Sequence, residues 1–224
     1  MQTLLNELGY WQLERAKEKK QRIDILQSNS EQLITDFSKI TNDDLEQFTP
    51  VKFEAFLSDD NTYLIENKIQ NGELGYHVLN LVTEKSTGKK VFVNRGWISA
   101  KANRKNLPKV TNPPFDWQIQ GRIYPINQDI LSAGAEIEQY DLVYRLPVMD
   151  VNILERLREH FDEDIEPFLI RLDQNQENTF TVDWQWVNML PEKHLAYAFQ
   201  WFALAFTLLI ISLVASIKRK SNKE

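Results

Sequence analysis

The chain has no cysteine among its 224 residues, and only three methionines and three histidines. Without thiols there is no disulfide framework, no Fe–S or Cys-type zinc ligation, no thiol nucleophile and no C-x-x-C redox pair. So few soft ligands also argue against a thiol-type Cu(I) chaperone. The sequence has no P-loop, dinucleotide fingerprint, G-x-S-x-G or H-E-x-x-H. Acidic residues are abundant, but their pairing in space is not legible, so a two-carboxylate hydrolase is unsupported rather than excluded. There is no internal repeat, and the one low-complexity stretch, 173–178, reads as a loop.

What is present is apolar and aromatic. Six Trp, seven Tyr and twelve Phe in a chain 42% hydrophobic exclude intrinsic disorder. The length suits one domain of about 150–190 residues with something attached. A mean hydropathy of −0.44 hides a polarised distribution. Residues 195–217 contain no charge, enough to cross a hydrocarbon core at about 1.5 Å per residue. Tyr197, Trp201 and Phe202 stand near one end, and Lys218, Arg219 and Lys220 at the other. Aromatics at one boundary and a basic stop at the other predict a C-terminal transmembrane anchor rather than a buried core helix. The tail 218–224 carries four basic residues against Glu224, which predicts that it lies in the cytoplasm and the bulk of the chain on the far side. Arg15, Lys17, Lys19, Lys20 and Arg22 pull the other way, but Glu7, Glu14, Glu18 and Asp24 interleave with them. Between these ends the chain is strongly acidic, a poor nucleic-acid binder.

Residues 10–27 are good helix formers without Gly or Pro. Residues 28–43 are polar and read as helix or loop. Short alternating runs follow, typical of half-buried strands: 51–57, 63–69, 76–82, 89–98, 118–124, 142–148, 167–172 and 182–187. Asn71-Gly72 and Thr87-Gly88 mark turns. Asp150 is a candidate N-cap for a helix running to about Glu159. The predicted class is α+β: a mainly antiparallel sheet or open barrel with a C-terminal transmembrane helix.

Each histidine carries two readings. His160 ends an acidic helix, where a cation needs no further explanation. His77 lies on a strand and reads as structural or exposed. His194 stands at the entrance to the membrane helix, just after Pro191. At 100° per residue it shares a stripe with Ala198, Trp201, Ala205, Ser212 and Ser216, while Phe199, Phe206, Ile210 and Ile217 lie opposite. Small residues in a stripe admit a close partner helix. His194 is thus either a headgroup-level hydrogen-bonding residue or an axial ligand to a haem or metal. Arg95-Gly96-Trp97 ends an apolar strand, and its plain reading is a turn at Gly96, Trp97 in the core and Arg95 paired to a carboxylate.

Three blocks together resemble the surfeit locus protein 1 family. Leu8-Gly9-Tyr10-Trp11-Gln12-Leu13-Glu14-Arg15-Ala16 with Lys19 is similar to its opening motif. Gly75-Tyr76-His77-Val78 and Val93-Asn94-Arg95-Gly96-Trp97-Ile98 are similar to its central strands, and His194-Leu195-Ala196-Tyr197-Ala198-Phe199-Gln200-Trp201-Phe202 to its C-terminal block. The resemblance spans nearly the whole chain. It implies a non-enzymatic assembly factor for haem–copper cytochrome c oxidase in the cell inner (plasma) membrane, with most of the chain on the periplasmic side. It further implies handling of haem a, with His194 as candidate axial ligand and Tyr197, Trp201 and Arg95 as accessory contacts. The implied partners are oxidase subunits, the lipid bilayer and the haem a synthesis machinery. A protein-binding scaffold that stabilises an oxidase subunit without haem is the alternative. A tail-anchored exported hydrolase is a weaker third reading.

The sequence departs from the family at its start, where no apolar span precedes Trp11. The expected organisation is therefore the end of a missing or truncated first membrane span with a juxtamembrane helix (1–27), an extracytoplasmic domain (28–190), a transmembrane helix (191–217) and a basic tail (218–224), with Met1 not the natural start.

Overall fold

The computed structural model describes residues 2–28, 33–46, 48–100, 107–128, 132, 134–184, 186 and 189–221. They form two compact units, one of residues 1–28 with 185–224, the other of residues 29–184.

The second unit is a β-barrel with an extension. Its strands are β1 (Pro50–Leu57), β2 (Thr62–Gln70), β3 (Glu73–Glu84), β4 (Lys90–Ser99), β5 (Asp116–Pro125), β6 (Glu138–Tyr140), β7 (Val143–Leu146) and β8 (Ile165–Leu172). The sheet order is β1-β5-β8-β4-β3-β2-β7-β6, and a β1–β3 pairing closes the first five into a barrel. Six pairings are antiparallel; β4–β8 and β2–β7 are parallel. The predicted α+β class with a mainly antiparallel barrel is what the chain forms.

Strand alternation sorts side chains into two cores. Val51, Phe53, Val82, Val91, Val93, Ile119, Ile170 and Leu172 belong to one cluster. Leu79, Leu81, Phe92 and Leu169, at the intervening positions, belong to the other, with Tyr63, Tyr144 and Leu146. That second cluster is completed by Ile153, Leu154 and Leu157 of a helix spanning Val151–Phe161. Asp150 caps this helix by accepting from the Ile153 amide at 2.9 Å, and Asp162 ends it at φ 53°. The β3–β4 turn is organised by the Glu84 carboxylate, which accepts from the amides and hydroxyls of Ser86 and Thr87. These bonds hold the Glu84 carboxyl below its usual range against the opposing effect of burial.

Two local expectations are corrected. The strand over 182–187 does not form at residues 181–184, where a single bridge joins Thr181 to Trp97; residues 185, 187 and 188 lie outside the described set. Gly96 does not end its strand, because β4 runs on to Ser99. Gly96 adopts φ 111°, and a Cβ there would stand 2.7 Å from the Thr181 carbonyl, so the close passage of residues 180–181 requires glycine. The polar stretch 28–43 holds a one-turn 3₁₀ helix, Phe37–Lys39, capped by Asp36, and the start of a short helix, Asn42–Glu46.

The first unit is a pair of helices. We label them α1 (Gln2–Ser28) and α4 (Pro191–Ser221), with Asn42–Glu46 as α2 and Val151–Phe161 as α3. The first begins well before the predicted residue 10, and its Gly9 lies against Phe202 of α4. Among the described residues one helix, Pro191–Lys218, is long and apolar enough to cross a membrane. Most of its large side chains are exposed, as for a lipid-facing helix and unlike a core helix.

Candidate functional site

The histidine stripe packs as its spacing predicts over the N-terminal half of α4. Ala198 is 1% and Ala205 4% exposed, with Gly9 and Ala16 buried on α1. Phe199, Phe206, Ile210 and Ile217 are exposed on the opposite face. The helices run antiparallel, with Gln12 against His194 and Tyr10 edge-on to Phe202 at 5.4 Å. Ser212 and Ser216, further along the stripe, are exposed and donate back to the Leu208 and Ser212 carbonyls. This is the usual resolution for hydroxyls in an apolar helix.

His194 is 8% exposed. Its Nδ1 lies 2.7 Å from Gln12 Oε1. If the amide oxygen accepts there, the imidazole carries its proton on Nδ1 and leaves the Nε2 lone pair open. Nε2 is buried and has no hydrogen-bond partner among the described residues. A buried imidazole nitrogen normally finds a partner. One oriented by a second residue through its other nitrogen, with its lone pair left over, has the arrangement of a metal-ligating histidine. Trp201 is half-buried near the same stripe, whereas Tyr197 is exposed. In the sequence Gln12 is only one residue of the opening motif; its pairing with His194 becomes visible once the antiparallel helix register is known.

Arg95 belongs to the other unit and is 3% exposed. Its Nε donates to the Asn178 carbonyl at 2.8 Å, and its Nη1 to Asn80 Oδ1 at 3.0 Å and the Thr111 carbonyl at 2.9 Å. The guanidinium also sits 4.6 Å from the Phe180 ring centre. These partners are neutral, which corrects the expected carboxylate pairing. Burial accordingly lowers its pKa to about 10. Arg95 thus ties three segments together. Trp97 is half-buried rather than fully in the core, and its indole N–H donates to the Lys68 carbonyl at 3.0 Å.

The other histidines have evident partners. His160 lies 3.4 Å from the Tyr144 hydroxyl, beside Phe161. His77 lies 3.4 Å from Asn94 Nδ2 and edge-on to Trp184. A cavity of about 420 Å³ beside α3 is lined by Tyr144, Arg156, Glu159 and His160, none of them a predicted site residue. Among the described residues no three His or carboxylate side chains are placed to hold a metal ion.

Fold and helix pair together define a membrane-anchored β-barrel protein with a single oriented histidine at the head of its apolar helix. A SURF1 family profile matches residues 2–206, and the chain belongs to the SURF1 family, generally cytochrome c oxidase assembly factors. It is similar to a SURF1-like protein of Rickettsia bellii (strain RML369-C), 28% identical over 215 residues, covering 91% of this chain and 83% of the relative. A SURF1-like protein of Rickettsia prowazekii (strain Madrid E) is 25% identical over 216 residues, covering 94% and 84%. One from Rickettsia felis (strain ATCC VR-1525 / URRWXCal2) is 27% identical over 220 residues, covering 95% and 92%.

Proposed function

We propose that this chain assists assembly of haem–copper cytochrome c oxidase by holding haem a at the outer edge of the cell inner membrane. His194 serves as axial ligand. The observation that carries the reading is the buried, partnerless Nε2 of an imidazole whose Nδ1 faces Gln12. Imidazole suits iron, and a ligand at the head of an apolar helix meets a lipophilic cargo at membrane level. Because Nε2 is covered, loading requires side chains above it to move aside. Trp201 and Tyr197, seven and three residues further along α4, offer flat rings beside a planar macrocycle. The partners in this reading are an oxidase subunit, the bilayer and the machinery that makes haem a. The basic tail supports placing the barrel on the periplasmic side.

The test is the absorption spectrum of the intact protein purified from cells that make haem a. His194→Ala is expected to insert and fold normally, lose co-purified haem and lower oxidase yield. Phe206→Ala, on the exposed opposite face, is the control. A low-spin haem spectrum retained by His194→Ala overturns the ligand assignment and favours the scaffold reading.

A further inference from the structure

The cavity beside α3 owes its shape to the way the chain enters β6. Ser132 is tied to the start of the helix: its amide and hydroxyl donate to the Asp150 carboxylate at 2.8 and 3.0 Å, and Asn152 Nδ2 donates to the same hydroxyl at 2.8 Å. One turn further along α3, Arg156 Nη1 donates to the Ala135 carbonyl at 2.8 Å. The chain then leaves the helix to pair β6 with β7, placing Gln139 opposite Tyr144. Between this strand pair and α3 lies a space of about 420 Å³, within the size range of small-molecule sites. Ile137 and Leu157 give it apolar walls. Tyr144, whose hydroxyl lies 3.4 Å from His160 Nε2, gives it a polar one.

Two opposite charges also line this space: Arg156, half-buried, and Glu159, exposed, one turn apart on α3. Residues three apart on a helix stand about 5–6 Å from each other at Cβ, close enough for opposite charges to pair. Elsewhere in the chain such pairs close. Arg15 and Glu18, in the same order and at the same spacing, meet at 2.7 Å, and Glu155 meets Arg158 at 2.7 Å. Arg156 and Glu159 do not meet. The guanidinium is held toward Ala135, and Glu159 has no hydrogen bond or ion pair among the described residues. An anchored guanidinium keeps its remaining N–H donors in a fixed fork, the geometry that recognises a carboxylate. A simple anion drawn to Arg156 meets the repulsion of Glu159, and a simple cation drawn to Glu159 meets that of Arg156. A zwitterion satisfies both.

We propose that the cavity between α3 and the β6–β7 pair binds a free aliphatic α-amino acid. Its carboxylate lies on Arg156, its ammonium on Glu159 and its side chain against Ile137 and Leu157. The adjacent charges of an α-amino acid bridge the one-turn gap that the two side chains leave open. The site belongs to the barrel unit and uses none of the residues of the haem reading.

The test is calorimetric titration of the full-length protein in neutral detergent, at neutral pH, with leucine, with isoamylamine (leucine without its carboxylate) and with isocaproate (leucine without its ammonium). Saturable leucine binding at one site is expected. Isoamylamine should bind about tenfold more weakly, because it forfeits a charge-assisted bond to a half-buried guanidinium. Isocaproate should bind about threefold more weakly, because Glu159 is exposed and its pairing is worth less. Arg156→Gln should lower leucine affinity about tenfold while binding isoamylamine no more weakly than the parent does. Glu159→Gln, a change at an exposed position, should lower leucine affinity about threefold while binding isocaproate no more weakly than the parent does. A variant that merely damaged the fold would weaken every ligand alike. Absent saturable leucine binding, either analogue binding as tightly as leucine, or leucine affinity unchanged in both variants overturns the proposal.

Discussion

Gly9 of α1 lies so close to Phe202 of α4 that a Cβ on Gly9 would meet the Phe202 ring at 2.6 Å from Cε1. Helices approach this closely only across a glycine, and the approach brings Gln12 within hydrogen-bonding distance of His194. Gly9→Val is expected to lower the melting temperature of the detergent-solubilised protein, by an overpacking cost of about 1–3 kcal/mol. Adding Phe202→Ala should return much of that loss, because the ring is what the new methyl groups strike. Strictly additive losses in the double variant would show that the two residues do not constrain each other.

Gln12 tests whether His194 works as an oriented ligand. Gln12→Leu removes the acceptor at Nδ1 while keeping the side-chain volume. Loss of a residue that orients a ligating histidine typically weakens metal affinity about 10–100-fold. Haem retention should fall by that order, and Gln12→Glu, which keeps an acceptor, should restore it. Equal haem content in Gln12→Leu and the parent would remove Gln12 from the site.

Arg95 should matter more to stability than Trp97. Arg95→Ala strips three acceptors, Asn80 Oδ1 and the Asn178 and Thr111 carbonyls, of one buried donor group. The expected loss is about 3 kcal/mol, measured by denaturant unfolding of the barrel. Trp97→Ala should cost less, since that ring is half-buried. The reverse order would mean that Arg95's neutral bonds are worth little.

His77 predicts a pH dependence. Burial first, and then the positive charges of Lys68 and Arg171, push its folded pKa from the ordinary 6.5 down to about 3. Between these values the unfolded chain binds a proton that the folded one refuses, so stability falls as pH drops below about 6.5. The slope approaches 1.4 kcal/mol per pH unit for one proton. Glu84 and other carboxylates with lowered pKa add to acid sensitivity only near and below 4.5. The window from about 6.5 to 4.5 is therefore where His77→Gln should flatten the stability curve. An unchanged slope in that variant would place His77 in contact with solvent.

Topology can be read with one thiol, because the chain has none of its own. Ser86, exposed in the β3–β4 turn, is the place for it. Ser86→Cys should react with an impermeant maleimide in cells whose inner membrane is intact. Reaction only after that membrane is permeabilised would reverse the proposed orientation.

Much of this architecture was legible because local pattern and burial coincide. Val51, Phe53 and Ala55 alternate in sequence and are buried together, and Asp150 caps the helix it precedes. The His194 stripe was legible over Ala198 and Ala205 for the same reason, a helical period facing a single neighbour. What stayed hidden depends on pairs distant in sequence. The Gln12–His194 contact joins residues 182 apart. Arg95's acceptors come from three separate segments, which is why a carboxylate was expected where carbonyls stand. The three-residue β6 is too short to carry an alternation signal.

The position of β8 sets a schedule for biogenesis. This strand, the last of the barrel in the chain, lies between β5 and β4, so each neighbour lacks its second partner until residues 165–172 have left the ribosome. Until then two strand edges face each other across a gap, the kind of surface that pairs with the wrong chain. Only residues 173–190 separate β8 from the first turn of α4. The barrel therefore closes at about the moment its anchor reaches the membrane, and a chain released earlier leaves with an open seam.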